Sequence, residues 1–351
     1  MTDSEHQMEA PSAPEPRRAS RRSFFTGALG TGLAAATLAG RAVAQTTPTP
    51  SPSPSPSPSP SPTGTPTPGL SDVDILNFAL NLEYLQANYY AYAVGNGALA
   101  AADISGTGAA GAASGGRAVS FGTETVIQAY AREIAADSLA QVRFLRGQLP
   151  SSAVIAQPAI DLSVGANSAF SVAARRAGII AGATDTFDPY ASVDNFLIGA
   201  FLFKDVAVTA YKGAAPLIFN KTFLEAAAGI MATHAYHAAT IRTLLYRRGQ
   251  SNAVLIPWTT GIAAARDALD GAPAEDLIRG IAPNDDQGVA KVSTPDGDRA
   301  NIVPTNSNGI TFSRTPTQVL NIVYLNAAAV TSGGFFPSGV NGTAKTSAAS
   351  S

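Results

Sequence analysis

Two histidines three residues apart, His234 and His237, lie in a stretch that only a long helix can accommodate. From Gly229 to Leu245 the chain has no proline and no interior glycine, and it is rich in alanine. Leu224, Ala227, Met231, His234, Ala238, Ile241 and Leu245 recur at helical spacing. His234 therefore sits at the centre of an apolar stripe, with His237 beside it at i+3. The chain holds 3 histidines in all, and the third, His6, is near the N-terminus. A His-x-x-His pair on an inward helix face is where chemistry is to be sought.

Three other segments share this texture. The first helix is predicted over 72–93, with Ser71 as N-cap and Asp72 and Asp74 at the positive end of the dipole. Its stripe runs Leu76, Ala79, Glu83, Ala87, Tyr90. The second, over 122–149, carries Ile127, Tyr130, Ile134, Ser138, Gln141 and Leu145, and Pro150 stops it. The third, over 193–213, carries Leu197, Ala200, Lys204, Val208 and Tyr211. The fourth covers 217–248, with Arg247, Arg248 and Gly249 suiting its C-terminus. Each stripe thus contains a polar residue where an apolar one is expected.

Residues 150–191 are a long link with a short Ala-rich helix near 169–181. A link of that length suits a crossover along a bundle. The predicted class is all-α: a four-helix bundle over 70–249, with its long crossover between the second and third helices. Residues 250–351 read as a mostly irregular extension wrapping the bundle, with a helix over 316–328. Asp285-Asp286 and Asp296-Gly297-Asp298 lack the spacing of a calcium loop and read as metal-free turns.

The N-terminal part cannot contribute a core. Arg21-Arg22 within Ser20–Phe25, a short apolar run from Ala28 to Gly40, and Ala42-Val43-Ala44 form a twin-arginine leader pattern ending at Ala44. The run is about 13 residues, short of the roughly 20 that span a bilayer. The expectation is cleavage and export to the periplasm or beyond. Residues 45–69 are a Pro/Ser/Thr-rich linker with a Ser-Pro repeat. At ~3.1 Å per residue it could reach on the order of 70 Å.

Composition removes several function classes. The net charge is −2, which gives no footprint for nucleic acid. There is no cysteine, so disulfides, thiolate catalysis and Cys-based metal sites are excluded. No segment after the leader reads as membrane-spanning, and a homo-oligomer is left open.

The chain resembles the ferritin-like proteins that include plant and bacterial desiccation-related proteins. The resemblance runs from about Asp72 to Gly342. It is carried by the stretch Asp74–Leu85, by Val142–Arg146, by Asp205–Ala215, by Ala235–Ala238, and by Arg314–Pro316 with Gln318–Tyr324. It implies a ferritin-like bundle. A di-metal centre in such a bundle uses one Glu from each of two helices and a Glu-x-x-His from each of the others. Laid on this sequence, that pattern is mostly broken. Glu83 keeps the first ligand position, but Ser138 and Gln141 replace one Glu-x-x-His, Lys204 replaces a Glu, and His234 precedes His237 where Glu is expected. A site with one carboxylate and one ammonium cannot neutralise two divalent ions.

The favoured expectation is a metal-free polar core with no cofactor, in which Glu83 and Lys204 form a buried ion pair helped by His234, His237, Gln141 and Ser138. The function expected from it is exported, non-catalytic, and structural or protective in stress. The first alternative is a metal-dependent oxidase or peroxide-detoxifying protein holding iron or another transition metal on Glu83, His234 and His237. The second is a surface-tethered interaction module, to which the Pro-Ser spacer is suited.

Overall fold

The computed structural model describes residues 69–349; the leader, Arg21, Arg22 and Ala44 among it, and nearly all of the linker lie outside them. Helix α1 (Asp72–Ala93) begins at a capping box between Ser71 and Asp74. It is followed by the one-turn α2 (Ala101–Ile104), α3 (Thr125–Gln148), α4 (Ala169–Arg176), α5 (Val193–Ala214) and α6 (Lys221–Gly249). Asn220 caps α6 by accepting from Thr222 and Phe223. Helix α1 packs chiefly on α3, and α5 on α6, while α1 also meets α5. The four long helices fall close to the predicted segments, and the crossover between α3 and α5 contains α4.

Helix α1 is covered on all sides, not along one stripe. Its off-stripe asparagines show what covers it. The Asn77 amide donates to Ala153 O (2.9 Å) and its oxygen accepts from Ile155 N (3.2 Å). Asn81 exchanges bonds with the Asn341 backbone at 2.9 and 3.1 Å. Asn88 donates to Gln157 Oε1 at 2.7 Å. The crossover and the C-terminal tail therefore close over α1, and the asparagines satisfy backbone that this burial would strand.

The extension contains an unforeseen helix, α7 (Leu255–Asp270), which packs on α4, α5 and α6. Leu255, Thr259, Ile262, Arg266 and Leu269 are its buried face. Pro257 and Gly261 hid that periodicity, yet Pro257 lies in the first turn, where its missing N–H is harmless. Gly261 is needed because a Cβ there would stand 2.1 Å from Ala177 O. Helix α8 (Pro316–Tyr324) ends earlier than expected, at Leu325 in the left-handed region (φ 53°). Two short strand pairs, β1 (Ala113–Ser114) with β2 (Ile160–Asp161) and β3 (Val292–Thr294) with β4 (Gly297–Arg299), complete the described residues. Pro295-Asp296 is the turn between β3 and β4, and Gly297 opens β4 opposite Thr294.

The extension is fastened by buried charge. The Arg242, Arg266 and Arg314 side chains are each about 1% exposed. Arg242 Nη1 donates to Asp205 at 2.8 Å, Arg266 bridges Asp205 and Asp286, and Arg314 bridges Asp270 and Asp286. Asp286, read from sequence as part of a metal-free turn, is the hub of this network.

Candidate functional site

Position 83 of α1, 204 of α5 and 234 of α6 converge in the bundle centre, and all three side chains are fully buried. The expected direct Glu83–Lys204 pair is not what forms. His234 stands between them: Nε2 is 2.9 Å from Glu83 Oε1, and Nδ1 is 3.3 Å from Lys204 Nζ. An imidazole is long enough to link groups on helices that face each other across the bundle, and neither flanking side chain can then reach past it. The Tyr211 hydroxyl donates to the same Glu83 oxygen at 2.8 Å. The Tyr90 ring lies 5.0 Å from Lys204 Nζ, in cation–π range.

Protonation follows from this chain. Burial alone would raise the Glu83 carboxyl; the charges and hydrogen bonds of His234, Lys204 and Tyr211 outweigh it and hold Glu83 below its ordinary range. Burial pushes Lys204 down to about 8, against the pull of Glu83 and Asp137. Burial also lowers His234, with Glu83 opposing. Lys204 is then the cation at neutral pH and His234 is neutral. The tautomer that fits has Nε2–H donating to Glu83 and Nδ1 accepting from the Lys204 ammonium. The chain ammonium–imidazole–carboxylate is charge-balanced and engages both ring nitrogens of His234.

His237 does not join this chain. Its Nε2 is 3.1 Å from Asp137 Oδ2, and burial beside Lys204 and His234 keeps it neutral. Ser138 and Gln141, expected to satisfy the ion pair, do not reach it. Ser138 Oγ, Gln141 Oε1, Glu83 Oε2, His237 Nδ1 and the Tyr90 hydroxyl are buried without a protein partner.

Sequence reasoning missed Asp137, Tyr90 and Tyr211 as site residues. The tyrosines were visible, since each lies seven residues beyond a site residue on the same stripe: Tyr90 after Glu83, Tyr211 after Lys204. Asp137 carried no such signal, because it sits one residue off its stripe and meets His237 only through the relative rotation of α3 and α6.

A di-metal centre does not fit these donors. Lys204 and Glu83 engage both ring nitrogens of His234, and among the described residues Glu83 is the one carboxylate on this chain. Among the described residues no three His, Asp or Glu side chains are placed to hold one ion.

Comparisons with known proteins agree with the architecture. The model of the ferritin-like domain family matches residues 71–247, half of the chain. A desiccation-related protein of Craterostigma plantagineum is 26% identical over 284 residues, covering 78% of this chain and 83% of that protein. A ferritin-like catalase of Nesocodon mauritianus is 23% identical over 282 residues, covering 78% of this chain and 84% of that one. No solved structure matches.

Proposed function

Because the chain belongs to the ferritin-like domain family, we propose that it is a bundle in which an ammonium–imidazole–carboxylate chain has replaced the metal centre. Its role is then non-catalytic, structural or protective under drying and related stress. The observation that carries this reading is the Lys204–His234–Glu83 chain, which commits both nitrogens of His234 and balances its own charge. The likeness to a desiccation-related protein supports the stress role.

The purified protein, supplied with ferrous iron and oxygen or with peroxide, should show no turnover above the uncatalysed rate and no bound metal. Deleting its gene should lower survival of drying. Saturable oxidation with stoichiometric iron would overturn the non-catalytic reading, and unchanged survival the protective one.

The likeness to a ferritin-like catalase favours a second reading, a peroxide-detoxifying protein; a metal on Glu83, His234 and His237 would require His234 to leave Lys204 and His237 to leave Asp137. Metal analysis of protein from its native compartment separates the two.

The proposed site of action is outside the cytoplasm, reached by the twin-arginine route through Arg21-Arg22 and Ala42–Ala44. Arg21→Lys with Arg22→Lys should leave the protein in the cytoplasm. Normal export of that double variant would refute the route.

A further inference from the structure

Helices α3 and α6 approach each other at few points, and a groove of about 700 Å³ separates them. A second stretch of about 320 Å³ shares Asp137 and Thr233 with it, so the groove is continuous along both helices. None of this space belongs to the Lys204–His234–Glu83 chain.

The walls combine two kinds of surface. Tyr130, Tyr236 and Phe144 are 39%, 78% and 41% exposed and line the groove. Tyr130 and Phe144 stand 14 residues apart on one helix, or ~21 Å. Flat aromatic faces distributed along a groove suit an extended ligand with apolar faces. Among them stand hydrogen-bonding groups of both kinds. Glu133 and Asp137 accept, and Arg247 donates.

The inner wall has unmet capacity. Gln141, 8% exposed, lines the groove with its amide oxygen unpartnered. His237 lines it with Nε2 engaged by Asp137.

This pattern selects a ligand class. Charges of both signs along the groove disfavour a simple anion or cation. A wholly apolar ligand would strand the carboxylates and Arg247. Sugar rings offer flat C–H faces to aromatic side chains and hydroxyls that both donate and accept. The volume lies within the range of small-ligand sites. We propose that the α3–α6 groove binds a neutral oligosaccharide, stacked on Tyr236, Tyr130 and Phe144 and hydrogen-bonded by Glu133, Asp137 and Arg247.

The test titrates the mature chain with maltohexaose, cellohexaose and chitohexaose, followed by calorimetry and by NMR shifts. At least one should bind saturably, with shifts confined to α3 and α6. Tyr236→Ala removes a largely exposed ring and should leave the fold intact, as its melting curve would report. That variant should weaken binding about tenfold or more, and Glu133→Gln should weaken it as well. Three flat titrations overturn the proposal, as does unchanged affinity in folded Tyr236→Ala. A parent chain that sediments as a dimer, and becomes monomeric in Tyr236→Ala, also overturns it by assigning the groove to a second copy.

Discussion

Glu83→Gln should destabilise the fold by about 3–5 kcal/mol in a urea melt. The glutamine oxygen can still accept from His234 and Tyr211, so the geometry survives and only the charge is lost. Lys204 is then a buried ammonium left with only the weaker pull of Asp137. Lys204→Met should cost less, because Glu83 retains two hydrogen bonds. The double variant should recover much of the loss, since an uncharged centre needs no compensation. Simple additivity of the two losses would show that charge is not passed through His234.

The same pair sets a pH dependence. Lys204 titrates at about 8 in the fold against 10.5 as a free side chain. Between those values the unfolded chain binds the extra proton, so stability rises with pH across that window. Below about 8 both states are protonated and the cost of the buried charge is constant. The rise amounts to roughly 3 kcal/mol, and Lys204→Met should lack it. In Glu83→Gln its onset should move below 8, because the ammonium has lost its main support. Asp267, which burial pushes up to about 7, titrates beneath this window.

Asp286→Ala should be as damaging, at about 3–5 kcal/mol. The Asp286 side chain is fully buried, and one of its oxygens contacts Arg266 at 2.6 Å and Arg314 at 2.8 Å. Burial would raise its carboxyl, but those two guanidinium groups hold it below the usual range. Without it, two buried cations lose a shared partner, and Arg266 of α7 loses its link to Arg314. Asp298→Ala, which removes the partner of exposed Lys291, should leave the melt unchanged. Equal melts for the two variants would place the Arg266–Asp286–Arg314 cluster outside the core of the fold.

The four long helices and the interruption of their stripes were legible in the sequence, because helical periodicity is a local property. The identities at 83, 138, 141, 204 and 234 also departed from the four-carboxylate pattern that the resemblance implied. How those side chains meet was not legible. Ionic attraction pointed to a direct Glu83–Lys204 pair, whereas packing placed an imidazole between them. The pairing of Asp137 with His237 depends on the rotation of two helices that scarcely touch. The burial of α1 on every side depends on Asn81 meeting Asn341, 260 residues away in the chain. No local pattern reports such contacts. They are selected when the crossover and the tail close over one helix and every buried backbone group must find a partner.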